Sequence, residues 1–558
     1  MEEGAALVSG GRFHEAVQAF GAALRAHPAA HEARIGLAQS FIGIGDPWAA
    51  AAWLSDACRV APHVAEIWMD LARLLMSQQR EAEVEPLLET AVAMNPRHIG
   101  LLQMQGDLYL RRKAYGPGLK VFEQLYDVAP DEAGTMLNYG YCLEHDGQIE
   151  KAVMLYRRAI AHNADFMEAH VDLSGVLWRV EDFQGALAHA KKGVELAPDN
   201  AHAVRILGTA YLNLNQTDEA EHWLRRALEL SPGFSLAEID LSFALLLAGK
   251  LDEGWKLYAR RWRDEERLQR PGFYNAQLEW KGRAAQPANG RRIAVYAEQG
   301  LGDVIQFIRY VRELQADGWV VYGAVQAELV PIIEHSFPGV LCIVPNRVLQ
   351  ADVHVALLDL PMHYSTQLDT IPASVPYLSA PADKVQAWAH RMPPAEGRLR
   401  VGLAWSGSLK QVNNNNRAVR LSQLSPLLEM PQLQCFSLQK GDCGGFTDVE
   451  PSPDQLIDLT TEWSDFTDSA AMIENLDLVI TVDTSLAHLA GAMGKEVWVL
   501  LAPNADWRWL VDREDSPWYP TMRLFRRGFG ESRAKQIGRV VEALKARLAL
   551  AQPAPQIT

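Results

Sequence analysis

The chain has 558 residues, a length suited to roughly three or four domains. Its 53 Lys and Arg against 69 Asp and Glu give a formal net charge of −16, with 48% hydrophobic and 22% charged residues. This composition excludes a disordered chain, a collagen-like chain and a small disulfide scaffold, and the acidic balance argues against nucleic acid, whose phosphates call for clustered Lys and Arg. Five cysteines (Cys58, Cys142, Cys342, Cys435, Cys443) are odd in number and carry no neighbouring His pattern for zinc, so they read as reduced cytosolic thiols. The opening Met-Glu-Glu-Gly lacks the basic region of a secretory signal, and no apolar run reaches the ~18 residues of a membrane span. A cytoplasmic protein is expected.

The first half repeats. Prolines fall at Pro28, Pro62, Pro96, Pro130, Pro198 and Pro232, in steps of 34 residues with Ala164 in the one vacant slot. Small residues stand twelve places before them (Ala16, Ala50, Gly118, Ala152, Ala186, Ala220), and large ones eight before (Phe20, Leu54, Leu88, Phe122, Tyr156, Leu224). Ten places after each of these seven slots, Ala164 included, comes another small residue: Ala38, Ala72, Gly106, Gly140, Ser174, Gly208, Ser242. This pattern predicts antiparallel helix pairs with small residues where helices cross, the proline ending each second helix. The period resembles the tetratricopeptide repeat, in about seven units plus a divergent eighth over 1–262. Such an array implies a docking face for a protein segment. Trp255 and Trp262 are expected to seal its end, and 263–290 reads as a linker.

The second half changes period. Short apolar strands are predicted at 292–297, 319–325, 340–344, 353–357, 398–405, 433–438, 478–482 and 497–501, with helices between, including 303–314 and 382–392. Strands alternating with helices imply parallel sheets covered on both faces. They form two Rossmann-like domains facing a cleft, an N-terminal lobe over 291–385 and a C-terminal lobe over 398–547, with a tail at 548–558. Ligands in such sheets bind beyond the carboxyl ends of the strands.

Three strand-end loops carry candidate chemistry. In Glu298-Gln299-Gly300-Leu301-Gly302-Asp303, the glycines permit close backbone approach, and Asp303 is either a helix N-cap or a carboxylate placed to take a proton from a hydroxyl. No glycine completes a GxGxxG match in this loop, so a nicotinamide cofactor is not expected. The loop Trp405-Ser406-Gly407-Ser408-Leu409-Lys410, continuing to Arg417 and Arg420, suits a phosphate held by guanidinium groups, or is a solvated turn-rich surface. In Asp483-Thr484-Ser485-Leu486-Ala487-His488, the hydroxyls cap a helix whose free N–H groups can bind an anion, and His488 either joins them or is structural. Trp507, Arg508, Trp509, Trp518 and Tyr519 form an aromatic stretch that either stacks on a ligand or packs between lobes.

Taken together, Gly302-Asp303-Val304, the Ser-Gly loop with Arg417 and Arg420, and Asp483-Thr484-Ser485-Leu486-Ala487-His488-Leu489-Ala490-Gly491 before Val497-Trp498-Val499-Leu500 resemble the heptosyltransferase-like glycosyltransferases. The resemblance covers about 291–547 and implies the two-domain GT-B fold and metal-independent, inverting transfer from a nucleotide sugar. It implies Asp303 as the acceptor-activating base. The donor would meet Gly300, Gly302, Ser406, Gly407, Ser408, Arg417, Arg420, Gln439, Lys440, Asp483, Thr484, Ser485 and His488. No cofactor beyond this co-substrate is implied.

The repeat array is foreign to lipopolysaccharide heptosyltransferases, so their acceptor does not carry over. The O-GlcNAc transferases share the layout but carry an asparagine ladder, whereas Asn138, Asn213 and Asn215 here fall at different repeat positions. The architecture is most similar to bacterial flagellin O-glycosyltransferases, which implies a nonulosonic acid such as pseudaminic acid as the sugar and Ser or Thr of flagellin as acceptor. The alternatives are a non-catalytic repeat scaffold with a degenerate GT-B half, and a sugar-nucleotide epimerase or hydrolase, for which the docking array has no use.

Overall fold

A computed structural model describes residues 1–263, 268–343, 350–409 and 411–551. The end of the strand expected at 340–344, Lys410, and residues 552–558 of the expected tail lie outside these. The chain divides into two compact units, Met1–Val180 and Glu181–Thr558.

The first unit consists of antiparallel helix pairs such as Ile99–Arg111 with Tyr115–Val128 and Ala133–His145 with Ile149–His162. The small position of each first helix faces the large position of the second. A Cβ on Gly106 would lie 2.5 Å from the Phe122 ring, and one on Gly140 2.7 Å from Tyr156. A side chain at Gly106 or Gly140 would push its pair apart, and elsewhere the same position holds nothing larger than Ala or Ser. Each proline falls just past a second helix, as Pro62 does after Pro47–Val60 and Pro130 after Tyr115–Val128.

A further 34-residue period lies in the backbone. Gly11, Gly45, Gln79, Lys113, Gly147, Glu181, Asn215 and Gly249 all have positive φ, between 55° and 85°, at the turn inside each pair. Only half of them are glycine, so composition conceals this period.

The second unit opens with the helix Phe183–Leu196 and continues with helix pairs of the same kind (Ala201–Asn213 with Thr217–Leu230, Ser235–Leu247 with Leu251–Tyr258), where Gly208 meets Leu224 as Gly106 meets Phe122. Two parallel sheets follow. The first contains β1 (Arg292–Tyr296), β2 (Val320–Ala324), β3 (Leu341–Ile343) and β4 (Val353–Ala356) in the order β3-β2-β1-β4. The second contains β5 (Leu399–Ala404), β6 (Leu433–Ser437), β7 (Ile457–Asp458), β8 (Leu478–Val482), β9 (Val497–Leu501) and β10 (Met522–Arg526), in the order β10-β9-β8-β5-β6-β7. The inner strands β8 and β9 are buried along their whole length, as helices on both faces require. Each sheet reverses strand order once, between β1 and β4 and between β5 and β8, and loops beside such a reversal leave a crevice.

Several elements differ from expectation. The strands β7 and β10 and the helix Arg533–Ala551 were not expected; β7 has two residues, and the apolar run of β10 is interrupted by Arg523. The helix expected at 303–314 is two, Leu301–Phe307 and Tyr310–Ala316, with Arg309 between them turned inward. Its guanidinium donates to the carbonyls of Gln306 and Trp518, both at 2.7 Å, and to Tyr377 Oη at 3.0 Å. The described part of 263–290 is docked. Glu279 forms a parallel bridge to His354, Trp280 donates its backbone N–H to the His354 carbonyl at 2.8 Å, and the Trp280 indole is fully buried.

The last helix pair shares one hydrophobic core with both sheets. Trp255 packs edge-on against Trp507, Phe307 and Trp518, with ring centroids 5.3, 6.1 and 6.4 Å away. Arg261, just beyond that pair, is buried and ion-paired to Glu298 and Asp359 of the first sheet. Asn215 donates to the Pro503 carbonyl at 2.8 Å, and Asn504 to Asn213 Oδ1 at 3.2 Å, so these two asparagines bind the loop after β9.

Candidate active site

Between the carboxyl ends of the two sheets lies a cavity of about 780 Å³, within the range typical of small-molecule sites. Its walls are the segments after β1, β5, β6, β7, β8 and β9. Gly300, Gly302, Asp303, Ser406, Gly407, Ser408, Arg417, Gln439, Lys440, Asp483, Thr484, Ser485 and His488 all line it.

Arg420 does not. The helix Asn414–Arg417 ends at Arg417, and Ala418 is extended, so three residues of spacing carry Arg420 outward instead of one helical turn onward. Its side chain is exposed, with Asp448 at 4.0 Å.

After β1, Gly300 caps the helix Leu301–Phe307, and Asp303 sits in its first turn, accepting from the Gly300 N–H at 2.9 Å. Asp303 is thus not the N-cap itself, and its second oxygen is ion-paired with Arg508. Burial raises the Asp303 carboxyl above its ordinary value, and Arg508 opposes that rise. A Cβ on Gly302 would stand 3.0 Å from the His488 ring and 3.5 Å from Ser485 Cα, so Gly302 lets the β1 and β8 loops meet.

The loop after β5 is pinned from two sides. Gln439 Oε1 accepts from the backbone N–H of Trp405 (3.1 Å) and Ser406 (2.9 Å), while Asn414 Oδ1 accepts from Gly407 N–H (3.1 Å) and Arg417 Nε (3.2 Å). The Arg417 guanidinium packs against Gly407, where any side chain would collide with it. Lys440 reaches across to the Trp463 carbonyl.

After β8, Thr484 caps the helix Ser485–Ala492, accepting from Leu486 N–H at 3.3 Å, so Ser485 is the first helical residue. His488 is buried, shares a hydrogen bond of 2.9 Å with Tyr519 Oη and stacks on Trp509 at 5.4 Å. Burial, with Arg508, Arg309 and Arg417 nearby, holds its pKa well below the ordinary value, so the ring is neutral. Asp483 is raised by burial, with Arg417 opposing.

The loop after β9 holds Asp506, which sequence reasoning missed, and Arg508, which it named only within an aromatic stretch. Asp506 and Arg508 line the cavity, and Arg508 donates to Asp506 Oδ1 at 2.8 Å besides pairing with Asp303. Trp507 and Trp509 are core residues flanking it, and neither lines this cavity. The strand-end rule applied to the other loops would have selected Arg508; the tryptophans on either side drew the reading toward stacking.

The cavity therefore offers one carboxylate held in place by a guanidinium on the first sheet's side. On the second sheet's side it offers Arg417, Lys440 and a capped helix N-terminus. The former can take a proton and the latter can hold an anion. Among the described residues no group of three or more His, Cys, Asp or Glu is placed to hold a metal ion, and no helix is long and apolar enough to cross a membrane.

Comparison with known proteins bears on both halves. The tetratricopeptide repeat family matches residues 1–63, 104–167 and 172–233. Protein FlbA of Caulobacter vibrioides is 27% identical over 475 residues, 78% of this chain and 77% of that protein. The human Protein O-mannosyl-transferase TMTC3 is 24% identical over 238 residues, 39% of this chain but 26% of that protein. Among solved structures, MamA protein is 19% identical with a TM-score of 0.28, over 30% of this chain and 91% of that one. The helical half thus consists of tetratricopeptide repeats, followed by an α/β region with parallel sheets.

Proposed function

We propose that this protein is a cytoplasmic, GT-B-type protein O-glycosyltransferase. It moves a sugar from a nucleotide donor to Ser or Thr of a protein docked on the repeats. The observation that carries this reading is the gathering of Asp303 with Arg417, Lys440 and the Thr484–Ser485 helix end around one cavity between two parallel sheets. The likeness over part of this chain to a Protein O-mannosyl-transferase runs in the same direction.

In this reading the repeats raise the effective concentration of acceptor hydroxyls at the cavity. Asp303 accepts the hydroxyl proton as the oxygen attacks the anomeric carbon. The bond from that carbon to the phosphate oxygen breaks, and the phosphate leaves with the electron pair. Arg417, Lys440 and the N–H groups beyond Thr484 offset its charge. Direct displacement inverts the anomeric centre and needs no cofactor beyond the donor. We assign the sugar as a nonulosonic acid such as pseudaminic acid, and the acceptor as flagellin.

The test is the intact mass of flagellin from cells with the unaltered gene and with Asp303→Ala. Flagellin heavier by whole sugar masses, with the increment lost in the variant, supports the reading and identifies the sugar. Equal masses without any sugar dismiss flagellin as acceptor; equal masses with it dismiss Asp303 as base.

A further inference from the structure

A second pocket, of about 270 Å³, adjoins the cavity and shares Gln299, Asp506 and Arg508 with it as a common wall. Its other sides are Ile239 and Phe243 from the helix Ser235–Leu247, Tyr258 from the next helix, Leu268 and Trp507. Resting on the protein-transferase reading, we propose that this pocket receives an aliphatic or aromatic side chain of the acceptor polypeptide, within two places of the Ser or Thr that meets Asp303, and so selects which hydroxyls are modified.

The chemistry of the walls restricts the occupant. Ile239 and Phe243 stand four residues apart and so share one helix face, both half-buried. The two cations here already have carboxylates: Arg261 pairs with Glu298 and Asp359, and Arg508 with Asp303 and Asp506. They also cover aromatic faces, with Arg261 4.6 Å from the Tyr258 ring centre and Arg508 4.2 Å from that of Trp507. An anion would meet guanidinium groups whose charge is already balanced by carboxylates, and a cation would find the Tyr258 and Trp507 faces taken, so neither gains a new counter-charge to offset its desolvation. A neutral apolar group would only exchange water for Ile239, Phe243 and Leu268.

Position points to a polypeptide. Two of the walls belong to the last tetratricopeptide helix pair, the kind of element that holds protein segments. The shared wall is Arg508, whose guanidinium touches Asp303 itself, so whatever fills the pocket is tethered beside the attacking hydroxyl. Arg417, Lys440 and Thr484 line the cavity and not this pocket, which leaves it outside the anion-holding side.

The experiment uses the full chain and fluorescently labelled Ser-centred peptides, in which each of the two residues on either side is in turn Leu, Phe, Ala or Asp. At one position Leu or Phe is expected to bind about tenfold tighter than Ala or Asp. Ile239→Trp, which fills the pocket, and Phe243→Ala, which removes a wall, should each reduce that preference to about twofold or less. Retention of the preference in both variants, or equal affinity for all four residues at every position, would overturn the proposal. The same samples are heated with CMP, UDP and GDP in turn. Loss of nucleotide protection in both variants would show a general collapse of the site and overturn the assignment of Ile239 and Phe243 to a separate pocket. Absence of nucleotide protection in the unaltered chain would count against the transferase reading instead.

Discussion

Arg508 and Asp303 lie 205 residues apart in the chain, and the guanidinium of one is ion-paired to the carboxylate of the other in the wall of the cavity. The same guanidinium binds Asp506, and the tryptophans on either side of it are locked in the core. Asp303 is therefore a carboxylate whose direction and charge state are set from the opposite sheet. Burial favours its protonated form and Arg508 favours its ionised form. A base needs the second.

Removing that cation should move the pH profile. With Arg508→Gln, Asp303 retains its burial and its repulsion from Asp506 but loses its counter-charge, so its pKa rises further. The acid limb of kcat/KM for sugar transfer should shift to higher pH, while Asp303→Asn should lower the rate by about 10²–10⁴-fold without an acid limb of its own. An acid limb unmoved in Arg508→Gln would show that Asp303 is not the titrating base.

The two arginines of the loop after β5 should separate cleanly. Arg417→Ala removes a cation lying in the cavity, and donor binding should weaken by about ten- to hundredfold, as for a charge-assisted contact. Arg420→Ala, at the exposed surface, should stay within about twofold of the unaltered chain. Nucleotide titration calorimetry on both variants decides this, and equal losses would mean that the loop moves on binding.

His488 should make stability depend on pH. The folded state holds the ring neutral, whereas the unfolded chain takes up a proton below about pH 6.5. The unfolded state then binds more protons, so stability is full above that pH and falls as pH drops below it, by at most about 1.4 kcal/mol per pH unit. His488→Gln should remove this component. Urea midpoints measured between about pH 7 and about pH 5 should fall less steeply in the variant than in the parent; parallel slopes would show that His488 is protonated in both states.

The left-handed turn residues offer a test of the repeats. Gln79 (φ 60°) and Lys113 (φ 55°) occupy a conformation that glycine adopts without the Cβ penalty. Gln79→Gly should stabilise by up to about 1 kcal/mol, and Gly45→Ala, at φ 85°, should cost about 1 kcal/mol. Denaturant midpoints of the full chain, compared pairwise, read both signs.

The repeat array was legible from sequence because its contacts are local. Gly106 meets Phe122, and Gly140 meets Tyr156, sixteen residues on, so spacing along the chain is spacing in the structure. The strand-end loops were legible for a related reason: a buried parallel strand writes its length as an apolar run, and the residues after it mark its carboxyl end. That was enough to single out Asp303, Arg417, Thr484 and His488, which line one cavity; Gln439 and Lys440, which line it too, were implied only by the resemblance to heptosyltransferase-like glycosyltransferases.

Tertiary structure alone decided the rest. It turned Arg420 to the surface through a single extended residue, docked the segment around Trp280 against β4, and brought Asn213 and Asn215 onto the loop after β9. Above all, it set Arg508 against Asp303. No period along the chain relates these residues, because their meeting depends on how the ends of two separate sheets face each other around a shared core, and that arrangement is fixed by the packing of Trp255, Phe307, Trp507 and Trp518 rather than by any neighbour in sequence.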